Sequence, residues 1–190
     1  MKRFLILATV LGLFAAQGAT AADKKPVVVL DTTLGVIKIE LDPQKAPGMT
    51  SHFLGYVKDK FYDYTIVDTV DPQSALQGGG LVPSMNPKPT PPPDACEEYN
   101  NVPNAKGTIA MIQRREIDDT MNITSRFLIN LVDNKKLDST NNTLSSRVFG
   151  KVIEGMDVLD KIANAKTARK GNYAQCPVKD IIIKSIRVQE

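Results

Sequence analysis

The sequence predicts a mainly β fold in which many short antiparallel strands close into a barrel capped by two helices. Three features carry that expectation. Short β-rich stretches recur along the chain, only two segments repeat their apolar residues at a helical period, and the last strand is apolar enough to return, buried, beside the first.

Taken in order, "VVVLDTT" and "VIKIEL" flank Leu34-Gly35, and Ile37, Ile39 and Leu41 alternate with Lys38 and Glu40. This pattern predicts two strands with one face buried, joined by a two-residue turn at Leu34-Gly35. After Pro47, the residues Met49, Phe53, Leu54 and Val57 follow a helical period. "TIVDTV", "ALQGGG", "GTIAMI" and "RFLINLV" then read as strands. Among them lies "NPKPTPPPDACEEYNNVPN", which is too rich in proline for regular structure, because proline fixes φ and donates no hydrogen bond. It is expected to be a long surface loop. "VFGKVI" runs into "EGMDVLDKIANA", a helix with Met156, Leu159 and Ile162 on one face, and "DIIIKSIRV" is the closing strand.

The N-terminus reads differently. Lys2-Arg3, the apolar run "FLILATVLGLFAA" and the small residues ending in Ala19-Thr20-Ala21 have the layout of a cleaved secretory signal. The run is shorter than the roughly 20 apolar residues that span a bilayer. Cleavage after Ala21 leaves residues 22–190 as a single domain, expected to be a periplasmic or secreted monomer with no membrane association. The signal takes two basic residues with it, so 22 Lys and Arg face 21 Asp and Glu and the formal charge falls from +3 to +1. Scattered basic residues and an aromatic content of 6% give no electrostatic footprint for nucleic acid.

Export brings the chain into an oxidising compartment, which favours a Cys96–Cys176 disulfide over two free thiols. No metal or cofactor is expected. The one histidine, His52, falls in the first helix as a solvent-side residue, and there is no CxxC or HxxxH spacing. "QGGG" lacks the Lys-Ser/Thr of a phosphate loop, and a single helical histidine leaves no Ser-His-Asp set. Glu40, Asp42, Asp118 and Asp119 read as solvated positions, not as the paired carboxylates of a hydrolase.

Six segments, "GVIKIELDPQKAP", "FYDYTI", "QGGG", "GTIAM", "TSRFLIN" and "VFGKVIEGMDVLDKI", resemble in order and spacing the cyclophilin-type peptidyl-prolyl isomerases, especially their exported bacterial branch. The resemblance covers about Val27 to Val188. It implies an eight-stranded antiparallel barrel closed by two helices, with a peptide groove on its outside and proline-containing segments of exported proteins as partners. It also implies a reaction, rotation about the bond preceding proline, whose barrier is about 18–20 kcal/mol. In the family an arginine hydrogen-bonds the proline nitrogen once twisting frees its lone pair, an apolar pocket grips the ring, and a glutamine with backbone groups holds the neighbouring carbonyl.

Position by position, Thr69 stands where the family has that arginine, and Ser74 and Ala75 stand where it has an apolar pair. Gln77 and the three glycines after it are kept. Arg126 and Leu128 replace a glutamine and a phenylalanine, Ile112-Gln113 follow "AM", Lys136 takes the place of a large aromatic, and Ser146 that of a histidine or tyrosine. The groove is thereby expected to be lined by Gln77, Ser74, Ala75, Ile112, Gln113, Phe127, Leu128, Leu137 and Ser146. Alternation puts Arg126 and Leu128 on one strand face. Arg126 then has two readings: a substitute donor reaching the space of the lost arginine, or an ion pair with Asp68 or Asp71. The chain itself is read as an isomerase of low or shifted activity, with a non-catalytic module that holds a polar partner peptide through Asp68, Asp71, Arg126 and Lys136 as the alternative. The family's proline-pocket ligand, cyclosporin, is expected to bind poorly to such a lining.

Overall fold

Strand β1 (Val27–Thr32) buries Val28 and Leu30, and β2 (Gly35–Leu41) buries Ile37, Ile39 and Leu41, as their alternation requires. The turn between them is Thr33-Leu34, one residue earlier than the sequence indicates. Thr32 draws it back: its Oγ1 donates to Gly35 O (2.7 Å) and accepts from Leu34 N (3.1 Å). Gly35 opens β2 at a φ of 139°, and a Cβ there would lie 2.7 Å from a Val158 methyl. These coordinates are a computed structural model describing residues 25–90, 94–95, 100–115, 121–138 and 144–190, with backbone alone at 94–95, 113–115, 121–123 and 144–145. The expected signal, Cys96, Asp118 and Asp119 lie outside the described residues.

Helix α1 (Pro47–Lys58) starts with proline in its first turn and buries Met49, Phe53, Tyr56 and Val57. The chain continues through β3 (Thr65–Val70), β4 (Ala75–Gly78), the two-residue β5 (Asp94–Ala95), β6 (Thr108–Arg115) and β7 (Met121–Asn130). After a 3-10 turn at Lys135–Asp138 come β8 (Leu144–Glu154) and α2 (Met156–Ala163). Gly155, at φ 93°, precedes α2 and sets its phase so that Val158, Leu159 and Ile162 are buried while Met156 faces solvent. The expected face is thus shifted, with Val158 in place of Met156. Next come β9 (Thr167–Lys170), β10 (Tyr173–Pro177) and β11 (Ile181–Val188).

Eight strands pair in the order β4-β3-β11-β1-β2-β8-β6-β7, and β7 pairs back onto β4, closing the barrel. The final strand lies beside the first, as anticipated. The interior is filled by Phe53, Tyr62, Phe127 and Phe149 with the inward aliphatic residues of each strand; Phe127 meets Phe53 and Tyr62 edge-on at 6.1 and 5.5 Å. The β9–β10 hairpin, turned by Gly171 at φ 58°, was not anticipated; it lies against β3 outside the barrel. The described parts of the proline-rich segment are irregular apart from the two-residue β5, which pairs with β7, and a bridge between Leu81 and Pro87. His52 is half-buried, edge-on to Tyr56 at 5.0 Å, with Nε2 3.4 Å from Thr124 O, so it is not a solvent-side residue. No helix among the described residues is long and apolar enough to cross a membrane.

Candidate active site on the outer face of the barrel

Register assembles the site. Thr69 pairs with Gln77, Gln77 with Leu128, Leu128 with Ala110, and Ala110 with Val148, one row across β3, β4, β7, β6 and β8. Side chains alternate across a strand, so the residues next to this row, Val70, Leu76, Phe127, Met111 and Phe149, enter the core. Phe127 therefore belongs to the interior, which corrects its expected place in the groove. Arg126 and Leu128 share the outer face. Ile112 pairs with Ser146 further along it.

Ala75, Ala110, Leu128 and Val148 form an apolar cluster separate from the main core, with Ile112, Leu137 and Val102 packed against it. Leu128 is its floor, only 4% exposed. Val102 arrives from the irregular segment and is held there by Asn100 Nδ2, which donates to Val148 O (2.6 Å).

A polar wall borders this floor. Ser146 Oγ and Asn130 Nδ2 donate to Asn104 Oδ1 (2.8 and 3.1 Å), and Asn104 donates from N and Nδ2 to Asp138 Oδ1. Asn134 Nδ2 donates to Asn130 Oδ1 (2.8 Å) and to Ser74 O (2.9 Å), and Ser74 Oγ donates to Asn134 Oδ1 (3.3 Å). Ser74 and Ser146 thus belong to one asparagine network.

At the other side of the row, Arg126 crosses Gly80, where a Cβ would stand 2.7 Å from its Cγ. Its NH2 donates to Asp68 Oδ1 (2.5 Å), NH1 to the Tyr173 hydroxyl (3.4 Å), and the guanidinium lies 5.6 Å from the Tyr173 ring centroid. Thr69 Oγ1 donates to the same Asp68 Oδ1 (3.0 Å). Burial pushes the Asp68 carboxyl above its ordinary range, against the opposing pull of Arg126 and of Thr69. Of the two partners weighed for Arg126, Asp68 is the one it binds.

The structure brings together Thr69, Gln77, Ser74, Ala75, Ile112, Leu128, Leu137, Ser146 and Arg126. Lys136 is exposed in the 3-10 turn, and the side chain of Gln113 lies outside the described residues. Among the described residues Cys176 is a buried thiol with no disulfide partner, raised above its usual pKa by burial, while Cys96 is not described. The sequence reading missed Tyr173, Val102, Asn104, Asn130 and Asn134. Tyr173 carried one usable signal, since it follows Gly171-Asn172, a pair suited to a hairpin turn.

The sequence profile of the family described as "Cyclophilin type peptidyl-prolyl cis-trans isomerase/CLD" matches residues 27–188, from β1 to the end of β11. The chain belongs to this family. Similar proteins include the peptidyl-prolyl cis-trans isomerase A of Dickeya dadantii, 41% identical over 188 residues, 98% of this chain and 97% of that one. The isomerase B of Escherichia coli is 36% identical and covers 86% of this chain over its own full length. A crystal structure of a Cryptosporidium parvum cyclophilin superposes with a TM-score of 0.69 at 21% identity, covering 87% of this chain and 98% of that one. That likeness confirms the cyclophilin barrel.

Proposed function

We propose that this chain is a peptidyl-prolyl cis–trans isomerase that acts slowly on proline-containing segments of exported proteins, with Arg126 as its charged donor. The carrying observation is that Arg126 and Thr69 hydrogen-bond the same carboxylate oxygen, which puts a guanidinium beside the position from which the family's arginine is missing. Rotation about the prolyl bond makes and breaks no bond to carbon, so catalysis is preferential binding of the twisted amide. Ile112 and Leu137, partly exposed over the buried Leu128 and Ala75, offer a small apolar contact for the ring, and Gln77 sits between that patch and Thr69 to hold the flanking carbonyl.

Slow turnover follows from the lining. Loss of one charged donor aimed at a transition state typically costs 10²–10³ in rate, at roughly the scale seen for oxyanion donors. Ser74 and Ala75 in place of large apolar groups give up about 2–4 kcal/mol of contact with a proline ring. Export and residence in an oxidising compartment rest on residues 1–21, and with them goes pairing of Cys96 with Cys176.

A non-catalytic peptide-binding module is the second reading, favoured by the bond Asp68 makes to Arg126, which occupies part of the donor. Measurement of kcat/KM on a panel of Xaa-Pro peptides decides between them. Catalysis that Arg126→Ala largely abolishes and Thr69→Ala leaves nearly intact is the expected result. A wild type indistinguishable from the uncatalysed rate across the panel overturns the isomerase reading in favour of the module.

A further inference from the structure

Asp68 is fully buried on β3, and one of its oxygens, Oδ2, has no hydrogen-bond partner. An ionised carboxylate in such a place is unfavourable unless it is paired and fully hydrogen-bonded. Stability alone is a poor reason to keep it, because a buried ion pair is often no better than apolar residues of the same volume. Its other oxygen is fully used, by Thr69 Oγ1 and Arg126 NH2. Three elements fix the arginine from different sides: β3 through Asp68, the backbone at Gly80 that its stem crosses, and β10 through Tyr173. Even so, Arg126 Nε is buried without a partner, so the carboxylate is the strong anchor of the guanidinium.

We propose that Asp68 is the positioning residue of the site: its carboxylate fixes the Arg126 guanidinium beside Thr69 as a preorganised donor to the groove. This rests on the reading of Arg126 as the donor. Arg126 keeps 26% of its side chain exposed, and a guanidinium has five N–H groups, so one carboxylate and one hydroxyl leave donors for a substrate. Preorganisation matters because a donor displaced by about 1 Å can cost on the order of 10²-fold in rate.

A pH signature follows. Thr69 and Arg126 face the Asp68 carboxylate, Tyr173 covers Arg126, and Cys176 adjoins Asp68 with Lys170 and Asp180 behind it, those two paired at 2.8 Å. Burial raises the Asp68 carboxyl, so it takes up its proton above the ordinary carboxylate range as pH falls. The anchor weakens on the acid side and is complete on the neutral side.

The test measures kcat and KM for wild type, Asp68→Asn and Arg126→Ala from about pH 4 to pH 8, with melts at each pH. Asparagine keeps the shape and removes the charge. Asp68→Asn is expected to lower kcat roughly 10–100-fold with KM little changed, and to abolish the acid-side fall of the wild type; an acid limb that persists would belong to Asp180 or another group and count against the proposal. Loss of activity in Arg126→Ala with unchanged or higher activity in Asp68→Asn overturns the positioning role and leaves the donor reading standing. Unchanged activity in Arg126→Ala removes both. Should Asp68→Asn fail to fold, the Arg126 Nε–H resonance of the wild type serves instead: it should shift across the same pH range as the activity, and a resonance that does not respond overturns the proposal.

Discussion

At Gly79 the backbone takes a φ of 84°, and a Cβ would stand 2.8 Å from the rings of both Phe127 and Tyr62. Neither ring can retreat in a filled interior, so Gly79→Ala is expected to cost about 2–4 kcal/mol, read as a lowered denaturant midpoint with unchanged slope. The sequence alone marked "QGGG" only as a family likeness; the ring contacts that demand glycine come from positions 17 and 48 residues away. Thr69 was legible as a departure, and its hydroxyl is spent on Asp68. Thr69→Arg is expected to raise kcat/KM on an Xaa-Pro peptide, modestly, because Asp68 would compete for the new guanidinium and Ser74 and Ala75 still grip the ring poorly. No rise would mean that the floor, not the donor, limits the rate. Phe127 was misplaced for a simple reason: its neighbours Arg126 and Leu128 were read correctly as outward, and alternation leaves no room for a third groove residue between them.

Among the elements, the strands of the β9–β10 hairpin carried no signal of their own, because "TARK" and "YAQC" have no alternating apolar face, and only the Gly171-Asn172 turn between them was readable. Its contribution is made by two side chains, Tyr173 over Arg126 and the buried Cys176. Tyr173→Ala is expected to lower stability by about 0.5–2 kcal/mol through the lost cation–π contact. The barrel strands were legible from their apolar alternation, though β7 and β8 begin several residues before the stretches that signalled them. A second tie joins β11 to the α1–β3 connection, where Arg187 bonds both oxygens of Asp63 at 2.8 and 2.6 Å. The Arg187 hydrogen bonds hold the Asp63 carboxyl below its ordinary range. A depressed carboxyl stabilises the fold above the unfolded pKa and loses that contribution as pH falls through the folded one. Arg187→Ala is therefore expected to lower stability at neutral pH by less than about 1 kcal/mol for so exposed a pair, read as a lower Tm, with the difference vanishing in acid. A constant difference across pH would assign the effect to packing.

For the molecule as a whole, the closed barrel and its two helices were readable from strand number and the pairing of first with last, while the lining of its outer face needed the register. Leu128 at 4% exposure, with Val102 and Leu137 packed on it, leaves little open apolar surface there. Cyclosporin is accordingly expected to bind more weakly than micromolar in calorimetry, and sub-micromolar affinity would show that the floor opens. If the chain is exported and pairs Cys96 with Cys176, Ellman titration of the denatured, unreduced chain finds no thiol, and reduction lowers stability by about 4–5 kcal/mol on the loop-entropy view for a loop of about 80 residues. Two titratable thiols would exclude the pairing.

The seam between β4 and β7 has a further consequence. It joins Ala75 to Asn130 and completes the circle, so each of the eight barrel strands has a neighbour on both sides. Unfolded polypeptides readily add themselves to free sheet edges, and a protein that handles such chains with an open edge would be a template for its own aggregation. With the seam closed, a passing chain finds no free edge on the eight barrel strands themselves. It can be held only by side chains and by backbone groups beyond the sheet, which are weak and local contacts, and so it can leave.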